Sequence, residues 1–228
     1  MKGIKFIVAT SLLAISSGAY AQFANSSSRA SVSSVSIDGW TGVWAEYNPI
    51  KIENDDDDMK MTGFSGGVSR AFSISQDSPL LLEAGVGVQY ASGSRNVELF
   101  GYKWKNELNI LSVKAPVNLL YGFEVPNSNI SIYPFVGVTL RGNLSGEMTF
   151  KADGETLKAD IFDEDKMNEE FYPLKIDAFE RFQVGWQIGA YVRLGENIMV
   201  GASYGKDMSD IQKDCKLQTT SIIVKYTF

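Results

Sequence analysis

The sequence predicts an all-β protein: an eight-stranded antiparallel up-and-down β-barrel that crosses a membrane. Three observations lead there. Apolar residues recur with period two through most of the chain. The connections between the alternating segments are short and long by turns, as in a barrel with tight turns on one side of a bilayer. No run of eighteen apolar residues provides a helical anchor.

The N-terminus sets the compartment. Lys2 and Lys5 precede an apolar run from Phe6 to Ile15, and a small-residue stretch follows, ending Ala19-Tyr20-Ala21. This is the pattern of a secretory signal peptide over residues 1–21, cleaved after Ala21. The apolar run is too short to span a bilayer as a helix. Residues 22–35, QFANSSSRASVSSV, are Ser-rich and aperiodic and read as a flexible lead-in to a barrel over 36–228. The leader holds two lysines and no carboxylate, so its removal takes the formal charge from −6 to −8. That balance, with no basic stripe, argues against nucleic acid as a partner. The single Cys215 cannot form an internal disulfide. An exported chain without a helical anchor is either soluble or a barrel, since a closed barrel satisfies its backbone in lipid.

Eight alternating segments fall at about 37–48, 62–74, 80–92, 107–123, 130–146, 178–194, 198–207 and 217–228. In the first, Trp40 and Trp44 take the inward parity, so either their rings fill the lumen or the register is off by one. In the second, Arg70 lies on the apolar parity, reaching for headgroups or following a bulge at Gly66-Gly67. The third places Leu80, Leu82, Ala84, Val86, Val88 and Tyr90 on one face. The fourth contains Pro116, which removes a ladder donor and suggests a bulge. The sixth sets Phe182, Val184, Trp186 and Ile188 against Arg181, Gln183, Gly185 and Gln187. The eighth ends Ile222, Val224, Tyr226, Phe228 on one face, with Ser221, Lys225 and Thr227 opposite and Ile223 as the exception.

Short connections follow the second, fourth and sixth segments, at 75–79, 124–129 and 195–197. The others, including 49–61 and 147–177, read as long external loops, which puts both termini in the periplasm. The minor face is rich in Gly, Ser, Gln and Thr and lacks the dense charge of a solvated sheet, so it fits a lumen better than the outside of a soluble barrel. Glu46, Glu83, Lys114, Arg141, Arg181, Arg193 and Lys225 lie on it, and opposite charges in so narrow a space predict a plug held by ion pairs.

Several phrases resemble a known family. LSVKAPVNLLYGFEV (111–125), ISIYPFVGVTLRGNLSG (130–146) and VGWQIGAYVRLGENIMVGASYGKDMSDI (184–211) are similar to strands four to seven of the outer-membrane β-barrel domain common in Bacteroidota, PorT-like or OmpX/OmpA-like. Ser203-Tyr204-Gly205-Lys206 is a looser form of the family's closing phrase. The terminal Phe228, with Tyr226 before it, is similar to the signal read by the barrel assembly machinery. The resemblance implies location in the cell outer membrane, contact with its lipid and lipopolysaccharide, and no catalytic motif.

The chain contains no histidine, which removes the commonest general base and the usual zinc sites. No catalytic, cofactor-binding or metal-binding residue is singled out, and no cofactor is expected. The acidic runs Glu53–Asp58 and Asp153–Glu170 offer hard oxygen ligands for divalent cations but lack EF-hand spacing, and hydrated loop tips account for them. The expected role is structural, or binding and adhesion to an extracellular or envelope protein through loops 49–61 and 147–177. The alternatives are a small channel or transport or secretion component, and a soluble periplasmic ligand-binding barrel.

Overall fold

The computed structural model describes residues 39–53, 58–75, 78–99, 102–152, 155–170, 172 and 177–228. The expected signal peptide and lead-in lie outside them. Ten strands form: β1 (Thr41–Glu53), β2 (Met59–Ser73), β3 (Leu80–Leu99), β4 (Tyr102–Tyr121), β5 (Phe123–Glu124), β6 (Ile130–Ala152), β7 (Glu155–Asp160), β8 (Phe182–Leu194), β9 (Ile198–Asp207) and β10 (Lys216–Thr227). Among the described residues one short helix, α1, covers Glu164–Glu170. Eight long strands pair in the cyclic order β1-β2-β3-β4-β6-β8-β9-β10, and β10 returns to β1 through Ala45↔Val224 and its neighbours, closing an antiparallel barrel. β5 and β7 are outgrowths paired to β6.

Closure fixes the geometry. A row of paired residues leaves β2 at Lys60 and passes Lys51, Gln218, Lys206, Trp186, Val138, Val117 and Ala84. It regains β2 at Arg70, a stagger of ten residues. With ordinary strand spacings, that stagger over eight strands means a tilt of about 40°.

Within the membrane-crossing part, the alternation is apolar outside and polar inside. Val86, Val88, Ile188, Ile222 and Val224 face outward and exposed, while Gln89, Gln183, Ser221 and Lys225 are buried in the lumen. Aromatic residues bound the apolar band. Phe72, Tyr121, Phe123, Tyr226 and Phe228 ring the end that carries the tight turns. Tyr47, Phe64, Tyr90, Trp186 and Tyr204 ring the other, with Tyr47 against Phe64 at 5.4 Å and Trp186 against Tyr204 at 5.7 Å between centroids. Such girdles mark the two interfaces of a membrane barrel.

Luminal aromatics require glycine beside them. The Trp44 ring lies over Gly67 of β2 and Gly87 of β3, where an added Cβ would meet ring carbons at 2.8 and 2.7 Å. Phe135 covers Gly189 and Tyr191 covers Gly201 in the same way, at 2.6 Å each. Both early tryptophans are buried in the lumen, so the rings fill it and the register needs no shift.

Other expectations change. β2 keeps continuous register with β1 and β3, so there is no bulge at Gly66-Gly67. Arg70 points outward near the girdle at the tight-turn end, its guanidinium 5.1 Å from the Phe72 ring centroid. Pro116 causes no bulge either: the β3–β4 pairing skips positions 115–116 and resumes in the same register. The bulge lies across the barrel wall, where Leu111 pairs with Ser145 and Ser112 with Asn143, leaving Leu144 extra in β6.

The segments 49–61 and 147–177 are largely not loops. β1 runs on to Glu53, β2 begins at Met59, and Glu147–Ala152 pairs with β7 as a hairpin. Above the upper girdle the alternation reverses sense. Ile50, Ile52, Met59, Met61, Leu108 and Ile110 turn inward, while Lys51, Glu53, Lys60 and Glu107 face water. The Leu144 bulge turns Met148 and Phe150 of β6 inward to join them.

Replacing Gly87 by valine forces its Cβ against Gly66 O and the Trp44 ring. Urea unfolding should show a loss of roughly 1–3 kcal/mol. Ala at Gly142, where a Cβ meets nothing within 4 Å, should leave the midpoint unchanged.

Candidate functional site

The lumen is built in tiers along the strands. At the end that carries the tight turns, Trp40, Leu81, Leu120, Tyr133, Phe135 and Ile223 form part of an apolar seal. Ile223, the exception in the last strand's polar series, belongs to this seal. Arg193 lies beside it, its guanidinium 4.6 Å from the Trp40 ring centroid and 5.4 Å from that of Tyr133.

Three ion pairs follow toward the outside. Lys225 of β10 donates to Glu83 of β3 across the lumen, with both side chains only 2 % exposed. Ser69 donates to Glu83 at 2.8 Å and Asn118 at 3.3 Å. The Lys225 ammonium also lies 4.3 Å from the Tyr191 ring centroid. Lys114 of β4 meets Glu46 of β1 at 2.5 Å, and Ser65 donates to the same carboxylate at 2.9 Å. Arg141 of β6 donates to Asp207 of β9 at 2.7 Å and to Gln89 at 3.2 Å. An amide and hydroxyl tier caps them: Ser112 donates to Asn143 and Asn143 to Gln183, at 2.7 and 2.8 Å. Beyond it Ile50, Met61, Leu108, Met148, Ile161, Met167 and Phe179 join a second apolar seal. Hydrogen bonds reaching every wall of the lumen offset the cost of taking these charges out of water.

Six of the seven charges expected in the lumen are there, and five of them make ion pairs. Arg193 stacks on aromatics instead. Arg181 is a correction: it is exposed ahead of β8, 4.5 Å from the Phe162 ring centroid and 3.4 Å from the Leu144 carbonyl that it donates to. The parity of β8 ends at Phe182, so the pattern does not carry to residue 181. Asp207 is a luminal charge outside the expected set, although it closes β9 on the luminal parity and Arg141 needs an anion.

The tiers leave little space. Between the Glu83 and Glu46 pairs lies a cavity of about 10 Å³, lined by Trp44, Asn118, Gln187 and Lys225 among others. That is room for about one water molecule.

Outside the membrane, β3, β4, β6 and β7 continue as a four-stranded antiparallel sheet, from Gly93↔Leu108 to Ala152↔Glu155. Lys105 and Lys151 meet Glu107 there at 2.8 and 2.7 Å, and Lys158 meets Glu147 at 3.0 Å. The two lysines, Lys105 foremost, hold the Glu107 carboxyl down at about 2. α1 buries Met167 in the upper seal. Asn54–Asp57 and Asp153 lie outside the described residues, and among those described no three metal-ligating side chains converge. Cys215 is buried in the upper seal.

The profile of the family described as "Outer membrane protein beta-barrel domain" matches residues 7–228. The chain belongs to this family. It is therefore an outer-membrane β-barrel, and the luminal tiers are the interior of such a barrel. No curated protein matches it in sequence. Among solved structures it is similar to Ail, the attachment invasion locus protein of Yersinia pestis, at 16% identity over 84% of this chain and 100% of that one, TM-score 0.45. It is also similar to Neisserial surface protein A, at 15% identity over 82% and 97%, TM-score 0.46. OprG from Pseudomonas aeruginosa matches at 14% identity over 84% and 95%, TM-score 0.38.

Two outcomes check the barrel's electrostatics. Lys225→Met leaves Glu83 buried without its cation and should cost roughly 3–5 kcal/mol in urea unfolding, with Glu83→Leu on top restoring much of it. A carbon-detected NMR titration should place Glu107 near 2. Its folded value is lowered, so its contribution to sheet stability is full at neutral pH and is lost progressively as pH falls from the ordinary glutamate range down through about 2. Lys105→Ala should raise the midpoint toward the usual glutamate range, and more than Lys151→Ala does.

Proposed function

We propose that the protein is a sealed outer-membrane scaffold, without enzymatic activity, that presents an extracellular β-sheet for binding a protein of the envelope or the cell's surroundings. The observation that supports it most is the sheet itself. β7 pairs only with β6, and β3 beyond Gly93 pairs only with β4, among the described residues. The sheet thus has an unpaired edge on each side, able to add an extended strand of a partner. The filled lumen favours this over a channel. Tyr226 and Phe228, exposed at the periplasmic rim, suit the assembly signal suggested by resemblance. The PorT-like assignment rests on the sequence phrases at 111–125, 130–146 and 184–211.

Two measurements test the reading. Planar bilayers containing the purified protein should show no steady conductance, and stable openings would contradict a sealed lumen. A photo-crosslinker at Thr156 in β7 should capture protein on intact cells, while one at Val86 on the lipid face should not. Equal capture at both positions, or none at Thr156, would contradict binding at the sheet edge.

A further inference from the structure

Outward-facing lysines gather on one side of the barrel, just beyond the upper girdle. Lys60 of β2 pairs with Lys51 of β1, Lys51 with Gln218 of β10, and Gln218 with Lys206 of β9, so three lysines share one row over four adjacent strands. Lys216, opposite Glu53 in the next outward row, adds a fourth. Lys60 and Lys51 stand four residues beyond Phe64 and Tyr47, and Lys206 stands two beyond Tyr204. At about 2.5 Å of height per tilted residue, these stem positions lie about 5–10 Å above the aromatic ring. That is the depth of lipid headgroups.

The other side of the wall differs. At comparable height, β3, β4, β6 and β8 present Tyr90, Ser92, Leu111, Asn109, Leu144 and Phe182 outward, and the exposed cation beside them is Arg181, which is held on the Phe162 ring and the Leu144 carbonyl. The carboxylates near the lysines sit farther from the membrane. Glu53 meets Lys51 at 3.3 Å and Lys206 at 2.5 Å, Asp58 meets Lys51 at 2.8 Å, and Asp210 meets Lys216 at 3.7 Å. Cations thus form the lower layer and anions the upper one. The side of this layer that faces the membrane is the one opposite Glu53 and Asp58.

We propose that the β9–β10–β1–β2 sector is a docking site for the phosphorylated headgroup of an outer-leaflet lipid, with Lys51, Lys60 and Lys206 as its phosphate ligands. Ammonium groups suit this role as charged donors to phosphate. Each lysine near a charged membrane surface adds attraction to anionic lipid. The acyl chains would lie on Tyr47, Ile222, Val224 and Tyr204 of the same sector.

Native mass spectrometry of the full chain in detergent, titrated with lipid A and with dephosphorylated lipid A, tests this. The wild type should retain lipid A at least roughly tenfold better than its dephosphorylated form. Lys51→Gln, Lys60→Gln, Lys206→Gln together should erase that preference, while Lys166→Gln, Lys213→Gln should keep it. A heat-modifiable gel shift shows which variants fold. Should the triple variant not fold, the wild-type comparison decides alone. Equal retention of the two lipids by the wild type, or an undiminished preference in a folded triple variant, would overturn the site.

Discussion

A strand in lipid must pair both of its edges, and that constraint organises this molecule. β1 cannot end free, so it pairs with β10, and eight strands with a ten-residue stagger close on a fixed, narrow bore. Everything within must then fit that bore. Trp44 lies across Gly67 and Gly87 because the wall has no room for a ring and two further side chains. Glu83 reaches Lys225, Glu46 reaches Lys114 and Arg141 reaches Asp207 because charges in such a space need partners on another wall. Closure narrows the lumen, glycine accommodates the rings, and ion pairs neutralise what remains.

The same wall changes character where it leaves the lipid. Inside the girdles the outside must be apolar, so the polar parity turns in. Beyond them the outside is water, and Ile50, Ile52, Met59, Met61, Leu108 and Ile110 turn in instead. The barrel thereby carries an apolar stopper above its polar middle. The Leu144 bulge lets β6 make this change with its neighbours by bringing Met148 and Phe150 onto the inner side.

That reversal explains what is legible in the sequence and what is not. Strand count, tight turns and lipid face follow from period-two alternation, and the last strand shows them plainly from Ile222 to Phe228. The stretches 49–53, 59–61 and 147–152 read as loops because the expected polarity flips there, although the alternation itself persists through Ile50, Ile52, Met59 and Met61. Pro116 suggests a bulge, but a missing donor needs only a gap in the ladder; the real bulge falls at Leu144, between Gly142 and Gly146, on a residue that is itself neither proline nor glycine. For the lumen, parity identifies the charged residues and register decides the partners. Glu83 and Lys225 are 142 positions apart, so only closure brings them together. Arg181 departs from the pattern because its strand ends one residue later, and Asp207 escapes it at a strand terminus, where parity is easiest to doubt.

Closure is also open to direct measurement. Thr41 and Phe228 exchange both backbone hydrogen bonds, at 3.2 and 2.8 Å. Alternation along the antiparallel pair therefore makes Trp44↔Lys225 a non-hydrogen-bonded pair, whose α-protons face each other closely. In the detergent-solubilised protein, a strong NOE between the α-protons of Trp44 and Lys225 is the predicted result. Its absence, or a strong contact from Trp44 to any other residue of the last strand, would contradict the closed barrel and the narrow lumen that depends on it.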